Sequence, residues 1–143
     1  MIKVAEGSDI DVILSLYRAG LDELGDKYQE NLILKKVVTS IHLAPCFLLQ
    51  IDDTICGMAG LTTLVCSPSG QATLTDYMFY IKPEYRKLKH FSELINATKD
   101  FAVEKNLPLR LQFTTNISEK LRNRLFDMYG FKVVSVIGEY NNE

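Results

Sequence analysis

Apolar residues in the first third of the chain follow a strand pattern and then a helix pattern. Ile2–Ala5 is a short apolar run that predicts a strand. Ser8 is the predicted N-cap of a helix that ends at Gly25, and a second helix is predicted over Gln29–His42. In both helices the apolar positions recur at helical spacing, so each should bury one face. They are Ile10, Ile13, Leu14, Tyr17 and Leu21, then Leu32, Leu34, Val37, Val38 and Ile41.

The middle of the chain is rich in strand-forming residues. Three strands are predicted, over Phe47–Ile51, Ile55–Val65 and Ala72–Ile81. An acidic turn joins the first two as a hairpin, and a Ser-Pro-Ser-Gly turn precedes the third. Gly57 and Gly60 lie inside the second of these strands, which indicates a bulge or a close approach of another backbone.

The last third returns to helical spacing. One helix is predicted to end at about Lys105, followed by a strand over Leu109–Phe113. A fourth helix begins at its N-cap Ser118 and ends at Gly130, and Phe131–Ile137 is the last predicted strand. The order is β-α-α-β-β-β-α-β-α-β, which predicts an α/β (α+β) fold with a mixed sheet and helices on both faces.

Length and composition fit one domain over residues 1–143. The chain is 47% hydrophobic and 24% charged, values that exclude disordered, collagen-like and coiled-coil classes. No apolar run approaches the ~20 residues that a membrane span needs, and Met1-Ile2-Lys3-Val4 does not begin a signal peptide. We therefore expect a soluble, cytoplasmic protein with no membrane contact.

Charge is distributed unevenly along the chain. Residues 1–81 hold 5 Lys or Arg against 10 Asp or Glu, whereas residues 82–132 hold 11 against 6. A basic second half favours an anionic ligand, although solvated helix faces would give the same count. Basic and aromatic residues do not alternate as in a stacking groove, so a nucleic-acid partner is not expected.

Cysteine and histidine offer little chemistry. Cys46, Cys56 and Cys66 lie in apolar surroundings without a CxxC spacing, and His42 and His90 are far apart. No metal site or disulfide framework is expected, and the thiols are interpreted as small core residues. A Cys–His nucleophilic pair stays open as an alternative.

Two local motifs add a family resemblance to this order of elements. Tyr80-Ile81-Lys82-Pro83-Glu84-Tyr85-Arg86 resembles the end of the fourth strand and the start of the acyl-CoA loop of the GNAT acetyltransferase superfamily. Leu125–Phe131 resembles that family's last helix, which ends at Gly-Phe, and Ile55–Gly60 resembles its third strand. The resemblance implies a mostly antiparallel central sheet of about six strands flanked by four helices. It also implies an acyl-CoA-dependent N-acetyltransferase that uses acetyl-CoA as cosubstrate and no metal.

The resemblance places the coenzyme A diphosphate at the start of the helix after Arg86. A helix N-terminus offers unpaired N–H groups and a positive dipole end to such an anion. The family usually has glycines where this chain has Lys89 and Phe91, and a solvated basic corner is the alternative interpretation. The cofactor-binding residues implied are Phe79, Tyr80, Ile81, Arg86, Lys87, Leu88, Lys89, His90, Phe91 and Asn116.

For catalysis the resemblance points to an acid on the fourth strand. Asp76 is the one acidic residue in the predicted strand over residues 72–81 and is the candidate general base, with a solvent-facing role as the alternative. Many family members carry a proton-donating Tyr where this chain has Phe126. Tyr77 and Tyr80 are alternative donors, which strand alternation places on opposite faces. A GNAT-fold binding or regulatory module without transfer activity is the alternative function.

The acceptor is expected to be a small-molecule or peptide amine. Asp22, Glu23, Asp26 and Glu30 form an acidic stretch that would attract a cationic amine, or that simply belongs to a solvated helix end. The resemblance also leaves open a homodimer paired through an exposed final strand.

Overall fold

The computed structural model describes residues 1–66, 68–113 and 117–133. The strands within these residues are β1 (Ile2–Val4), β2 (Cys46–Ile51), β3 (Thr54–Cys66), β4 (Gln71–Ile81) and β5 (Leu109–Arg110). The α-helices are α1 (Ile10–Leu24), α2 (Glu30–Leu43), α3 (Leu88–Lys105) and α4 (Glu119–Tyr129). Two 3-10 turns, Gly7–Asp9 and Pro83–Tyr85, precede α1 and α3.

The strands form one sheet in the order β1-β2-β3-β4-β5. All neighbours are antiparallel except β4 and β5, which are parallel. One apolar core lies between the sheet and α1 and α2, and a second lies between the opposite face and α3 and α4. The predicted α/β class, with a mostly antiparallel sheet between two helical layers, is therefore confirmed.

The strand count differs from the expected six. The described part of the sheet has five strands. Residues 131–133 of the predicted final strand, Phe131–Ile137, are not a strand, and residues 134–137 lie outside the described residues. The predicted turn before β4 is described over residues 68–70 only.

Three helix boundaries lie at the capping residues that the sequence predicts. Gly25 ends α1 at φ 75°, and Gly130 ends α4 at φ 69°, a left-handed conformation that glycine adopts without steric cost. The hydroxyl of Ser118 accepts the N–H of Leu121 at 3.2 Å, as an N-cap does. These three predicted boundaries are confirmed.

The predicted start of α1 was wrong. Ser8 lies inside the 3-10 turn, and the residue before α1 is Asp9. The Asp9 carboxylate accepts the N–H of Glu6 at 2.9 Å and a hydrogen bond from Lys3 at 3.0 Å. The carboxylate therefore holds the turn before α1 and makes no side-chain capping bond to α1 itself, and these contacts lower the pKa of Asp9.

The buried face of α2 also differs from the predicted one. Ile33 and Val37 are buried, whereas Leu32 is 63% exposed and Leu34 is 39% exposed. Ile33 and Val37 are four positions apart and therefore lie on the same side of the helix. Leu32 and Leu34, which flank Ile33 in sequence, point outward. The prediction that Leu32 and Leu34 belong to the core face was therefore wrong.

Candidate active site

A bulge in β4 organises the centre of the sheet. Gly60 pairs with Met78 and the next residue, Leu61, pairs with Asp76, so Tyr77 is an extra residue on β4. The Tyr77 ring lies over Gly60, where an added Cβ would be 2.3 Å from the ring. The glycine in β3 thus makes room for the bulged tyrosine: the bulge predicted near Gly60 lies on the neighbouring strand, β4, and the close contact is with a side chain rather than with another backbone.

The bulge also changes which way the tyrosines of β4 face. Tyr77, Met78 and Tyr80 all pack in the core beneath α1 and α2, and Tyr17 of α1 stacks on Tyr77 at 5.9 Å. Strict alternation predicted Tyr77 and Tyr80 on opposite faces, and that prediction was wrong. An inserted residue reverses the alternation on one side of the bulge.

β4 and β5 separate soon after they meet. Their parallel pairing covers only two positions of β4, Leu74 and Thr75. At the next position the Asp76 carboxylate, Oδ1, accepts the N–H of Gln112 at 2.7 Å. A side chain therefore replaces the next main-chain bond, and the predicted strand over Leu109–Phe113 ends at Arg110. Beyond Thr75 the described β5 no longer pairs with β4, and at the end of β4 the Ile81 carbonyl accepts a hydrogen bond from Arg86 Nε.

Asp76 is a buried side chain whose two carboxylate oxygens differ in their hydrogen bonding. The side chain is 1% exposed, and Oδ2 has no hydrogen-bond partner among the described residues. Burial raises the pKa of Asp76 from 3.8 to about 6, against the lowering effect of the Gln112 N–H. A carboxylate of raised basicity at the point where two strands separate is suited to accept a proton.

Asp76 is one of the residues that line a cavity of about 510 Å³ between α2, β3, β4 and the segment after β5. Tyr77 lines the same cavity, and its hydroxyl is buried over Gly60 and beside the Cys46 thiol. Burial raises the pKa of Tyr77, so the hydroxyl keeps its proton. The polar lining includes Lys35, Lys36, Thr39, Ser40, Thr62 and Thr75.

The N-terminus of α3 forms a second, basic site. Its cap residue Lys87 makes no side-chain capping bond, and the first turn contains no acidic residue. The N–H groups of Leu88 and Lys89 have no partner in the part of the chain described here. The N–H groups of His90 and Phe91 both donate to the Lys87 carbonyl, at 3.0 and 3.2 Å. The Lys87 N–H also donates internally, to the Tyr85 carbonyl, so the open amides at this helix start are those of Leu88 and Lys89.

Phe91 does not occupy this basic corner. Its side chain is fully buried and lies parallel to the Phe79 ring at 6.2 Å, in the core beneath α3. Lys89 is exposed. A regular helical turn needs no glycine to present its first N–H groups, so the two departures from the family loop leave the helix end accessible.

Arg86 makes contacts that the sequence did not predict. Its guanidinium forms a two-pronged ion pair with the Glu23 carboxylate at 2.5 and 2.6 Å, and Nε donates to the Ile81 carbonyl at 2.8 Å. The same group lies 5.5 Å from the centre of the Tyr80 ring. Arg86 therefore links the C-terminal turn of α1 to the end of β4, and a phosphate contact would require this pair to open.

The other predicted residues stand apart from these two sites. Asn116 lies outside the described residues. Phe126 packs against Phe113 at 5.7 Å. Cys46 and Cys56 are buried, and burial raises the pKa of Cys46 to about 12, so this thiol is not an activated nucleophile.

The described residues form neither a metal-binding cluster nor a membrane-spanning helix. No group of three or more His, Cys, Asp or Glu side chains is placed to hold a metal ion. No helix in these ranges combines the length and apolar character that crossing a membrane requires.

Known proteins share this architecture. Residues 13–131 match the model of the acetyltransferase (GNAT) family, and no curated protein matches the sequence. A predicted acetyltransferase with acetyl-CoA from Clostridium acetobutylicum is 16% identical, with 99% of this chain and 95% of that chain covered and a TM-score of 0.76.

Two further structures differ in what they acetylate. A ribosomal-protein-alanine N-acetyltransferase from Brucella melitensis biovar Abortus 2308 is 13% identical, with 100% and 95% of the two chains covered and a TM-score of 0.66. An aminoglycoside acetyltransferase from an uncultured soil metagenomic sample is 10% identical, with 100% and 98% covered and a TM-score of 0.71. At these identities the likeness shows the fold, and it does not define an acceptor.

Proposed function

The chain belongs to the GNAT family of acetyltransferases, and from that premise we propose that it transfers the acetyl group of acetyl-CoA to an amine, by direct attack, with Asp76 as general base. The single observation that carries this proposal is the open oxygen of the buried Asp76 carboxylate at the separation of β4 and β5.

The donor half of the site is proposed at the start of α3. The coenzyme A diphosphate would accept hydrogen bonds from the free N–H groups of Leu88 and Lys89. The exposed side chains of Lys87 and Lys89 would add charge at the same anion. The amides of the pantetheine arm would pair with main-chain groups along the outer edge of β4 at residues 79–81.

The reaction can then be written with its protons balanced. An ammonium acceptor gives one proton to the Asp76 carboxylate, and the free amine attacks the thioester carbon. The new C–N bond forms as the C–S bond breaks, and the CoA thiolate takes up the second proton that the nitrogen loses. Protonated Asp76 releases its proton to solvent, so the products are an N-acetyl amide, CoA and one proton.

Tyr77 is the proposed source of hydrogen bonding to the departing sulfur. Phe126 carries no proton, and the Tyr80 ring is covered by the Arg86 guanidinium. The Tyr77 hydroxyl is the remaining candidate, because Tyr77 lines the same cavity as Asp76; this hydroxyl is buried over Gly60 beside Cys46 and would have to turn toward the substrate. It is therefore the hydroxyl that best fits the role usually taken by a tyrosine in the last helix.

Calorimetric titration with acetyl-CoA tests the donor site. We expect binding that weakens by roughly 1–3 kcal/mol in Lys87→Ala and in Lys89→Ala, since each removes a charge-assisted contact. Lys120→Ala, an exposed lysine on α4, is the matched control and should bind as the wild type does. The absence of heat and of a thermal shift at millimolar acetyl-CoA would refute the proposal.

Release of CoA thiol in the presence of amines tests the chemistry. Asp76→Asn should lower turnover by about 100-fold or more while acetyl-CoA affinity stays nearly unchanged. Equal turnover of this variant at saturating substrates would remove Asp76 from the mechanism. Tight acetyl-CoA binding with no thiol release for any amine would instead favour a binding or regulatory module.

A further inference from the structure

The cavity beside Asp76 carries more positive than negative charge. Lys35 and Lys36 of α2 both line it, and Asp76 is the sole carboxylate among the described residues of its wall. The Lys36 ammonium lies 5.7 Å from the centre of the Tyr77 ring, so its charge lies over the residue that follows Asp76 in β4. A cation therefore stands on the same wall as the proposed catalytic carboxylate.

The charges of Lys35 and Lys36 are not balanced by an ion pair within the described residues. Two of the nearby acidic residues are occupied elsewhere, because Glu23 pairs with Arg86 and Glu30 pairs with Arg18. Two acidic residues of the stretch that would attract a cationic amine are thus already paired. The described residues of the cavity wall carry a net positive charge, from two lysines and one aspartate.

The remaining polar lining is neutral and hydrogen-bonding. Thr39 and Ser40 of α2 face Thr62 and Thr75 of the sheet across the cavity. Hydroxyls of this kind can donate to an anionic oxygen as readily as they accept from an amine. A cavity of about 510 Å³ suits a small molecule, since drug-sized ligands fill about 300–1,000 Å³.

Resting on the acetyltransferase function proposed above, we infer that the acceptor is a small amine that also carries an anionic group, bound with its amine at Asp76 and its anion at Lys35 and Lys36. Each end of such an acceptor then lies next to a protein group of the opposite charge. A polycation such as a polyamine or an aminoglycoside would bring further positive charge to the two lysines, and like charges at short range repel.

Matched pairs of amines test this inference. One pair is L-phenylalanine and L-phenylalaninamide, which differ in a carboxylate, and a second is O-phosphoethanolamine and ethanolamine, which differ in a phosphate. The diamine putrescine is the dicationic comparison. Amidation lowers the pKa of the neighbouring amine and so supplies more free nucleophile, which biases the first pair against the expected result.

We expect kcat/KM for the better anionic amine to exceed that of its neutral partner by about ten- to hundredfold, the range of a charge-assisted contact. The double substitution Lys35→Met and Lys36→Met should abolish this preference, whereas Lys120→Met on the opposite face of the sheet should leave it unchanged. Whether carboxylate or phosphate is the anion follows from which of the two pairs shows the larger ratio.

Calorimetric binding of the same amines to the unliganded protein separates this inference from the proposed function. Binding of an anionic amine that is lost in the double lysine variant supports the acceptor class even if no thiol is released. Turnover or binding that is equal within each pair, or that is best for putrescine, overturns the acceptor class and leaves the acetyltransferase proposal standing. Undetectable binding of every anionic amine in the calorimeter, with no preference in turnover, also overturns it.

Discussion

Asp76 should make the stability of the fold depend on pH in the direction opposite to that of an ion-paired carboxylate. Burial raises the pKa of Asp76 from 3.8 to about 6 in the folded protein, whereas the unfolded chain has the ordinary value. Between these values the unfolded chain has released a proton that the folded protein still holds. Stability from this group is therefore greatest below pH 3.8, falls as the pH rises, and becomes constant above about pH 6.

The pKa difference sets the size of the effect. A shift of about two units at about 1.4 kcal/mol per unit corresponds to about 3 kcal/mol in total, of which about 2 kcal/mol falls between pH 4 and pH 8. Asp76→Asn removes the titration and keeps an oxygen that can accept the Gln112 N–H. Any cost of burying the new amide is the same at every pH, so the difference in stability between variant and wild type should rise by about 2 kcal/mol from pH 4 to pH 8.

Urea unfolding of the wild type and Asp76→Asn at half-unit steps between pH 4 and pH 8 measures this difference. Asp127→Asn, which removes an exposed carboxylate on α4, is the matched control and should follow the wild type in parallel. All other titrating groups are shared, so their contributions cancel in the comparison. Parallel curves for Asp76→Asn and the wild type would show that Asp76 titrates alike in the folded and unfolded states, which would refute the argument from burial.

Three further changes test contacts that position the site. Glu23→Gln removes the partner of Arg86 at a partly exposed pair and should lower the free energy of unfolding by about 1 kcal/mol at most, as measured in urea, with a smaller loss at high salt. Gly60→Ala places a methyl group against the Tyr77 ring and should cost about 1–3 kcal/mol in thermal unfolding, and an unchanged melting temperature would show that the ring moves freely. Ser118→Ala removes the cap of α4 and should cost about 1 kcal/mol in urea, whereas Ser118→Asp should restore the loss.

Sequence reasoning succeeded where the deciding chemistry is local. The ends of α1 and α4 were predictable because glycine is nearly alone in adopting positive φ at low cost, and Gly25 and Gly130 both do so. The layered fold followed from the change of apolar period along the chain. The buried face of α2 was predicted wrongly because seven apolar residues in one short helix are consistent with more than one apolar stripe, and only packing against the sheet selects Ile33 and Val37.

The parts of the site that the sequence missed depend on distant pairing. The reversal of Tyr77 follows from a register shift against β3, and its one local sign was Gly60. The Arg86–Glu23 pair joins residues 63 positions apart, and no spacing rule predicts such a contact. The open oxygen of Asp76 depends on where β5 departs from β4, which is set by the same carboxylate through Gln112. Each is a property of the assembled sheet.

The departures from the usual family loop have a structural compensation. A glycine-rich loop holds a diphosphate by letting the main chain curve around it, whereas this chain has two N–H groups in the regular first turn of α3 that no described residue accepts. Phe91 stacks on Phe79 and so fixes that turn to β4, the strand that also carries Asp76. The proposed anion site and the proposed base are thus held by one strand, and Lys89 and Phe91 by themselves give no reason to expect lost activity. The argument for a lapsed enzyme then depends on Phe126 alone, and Tyr77, which lines the Asp76 cavity, is the proposed proton donor in its place.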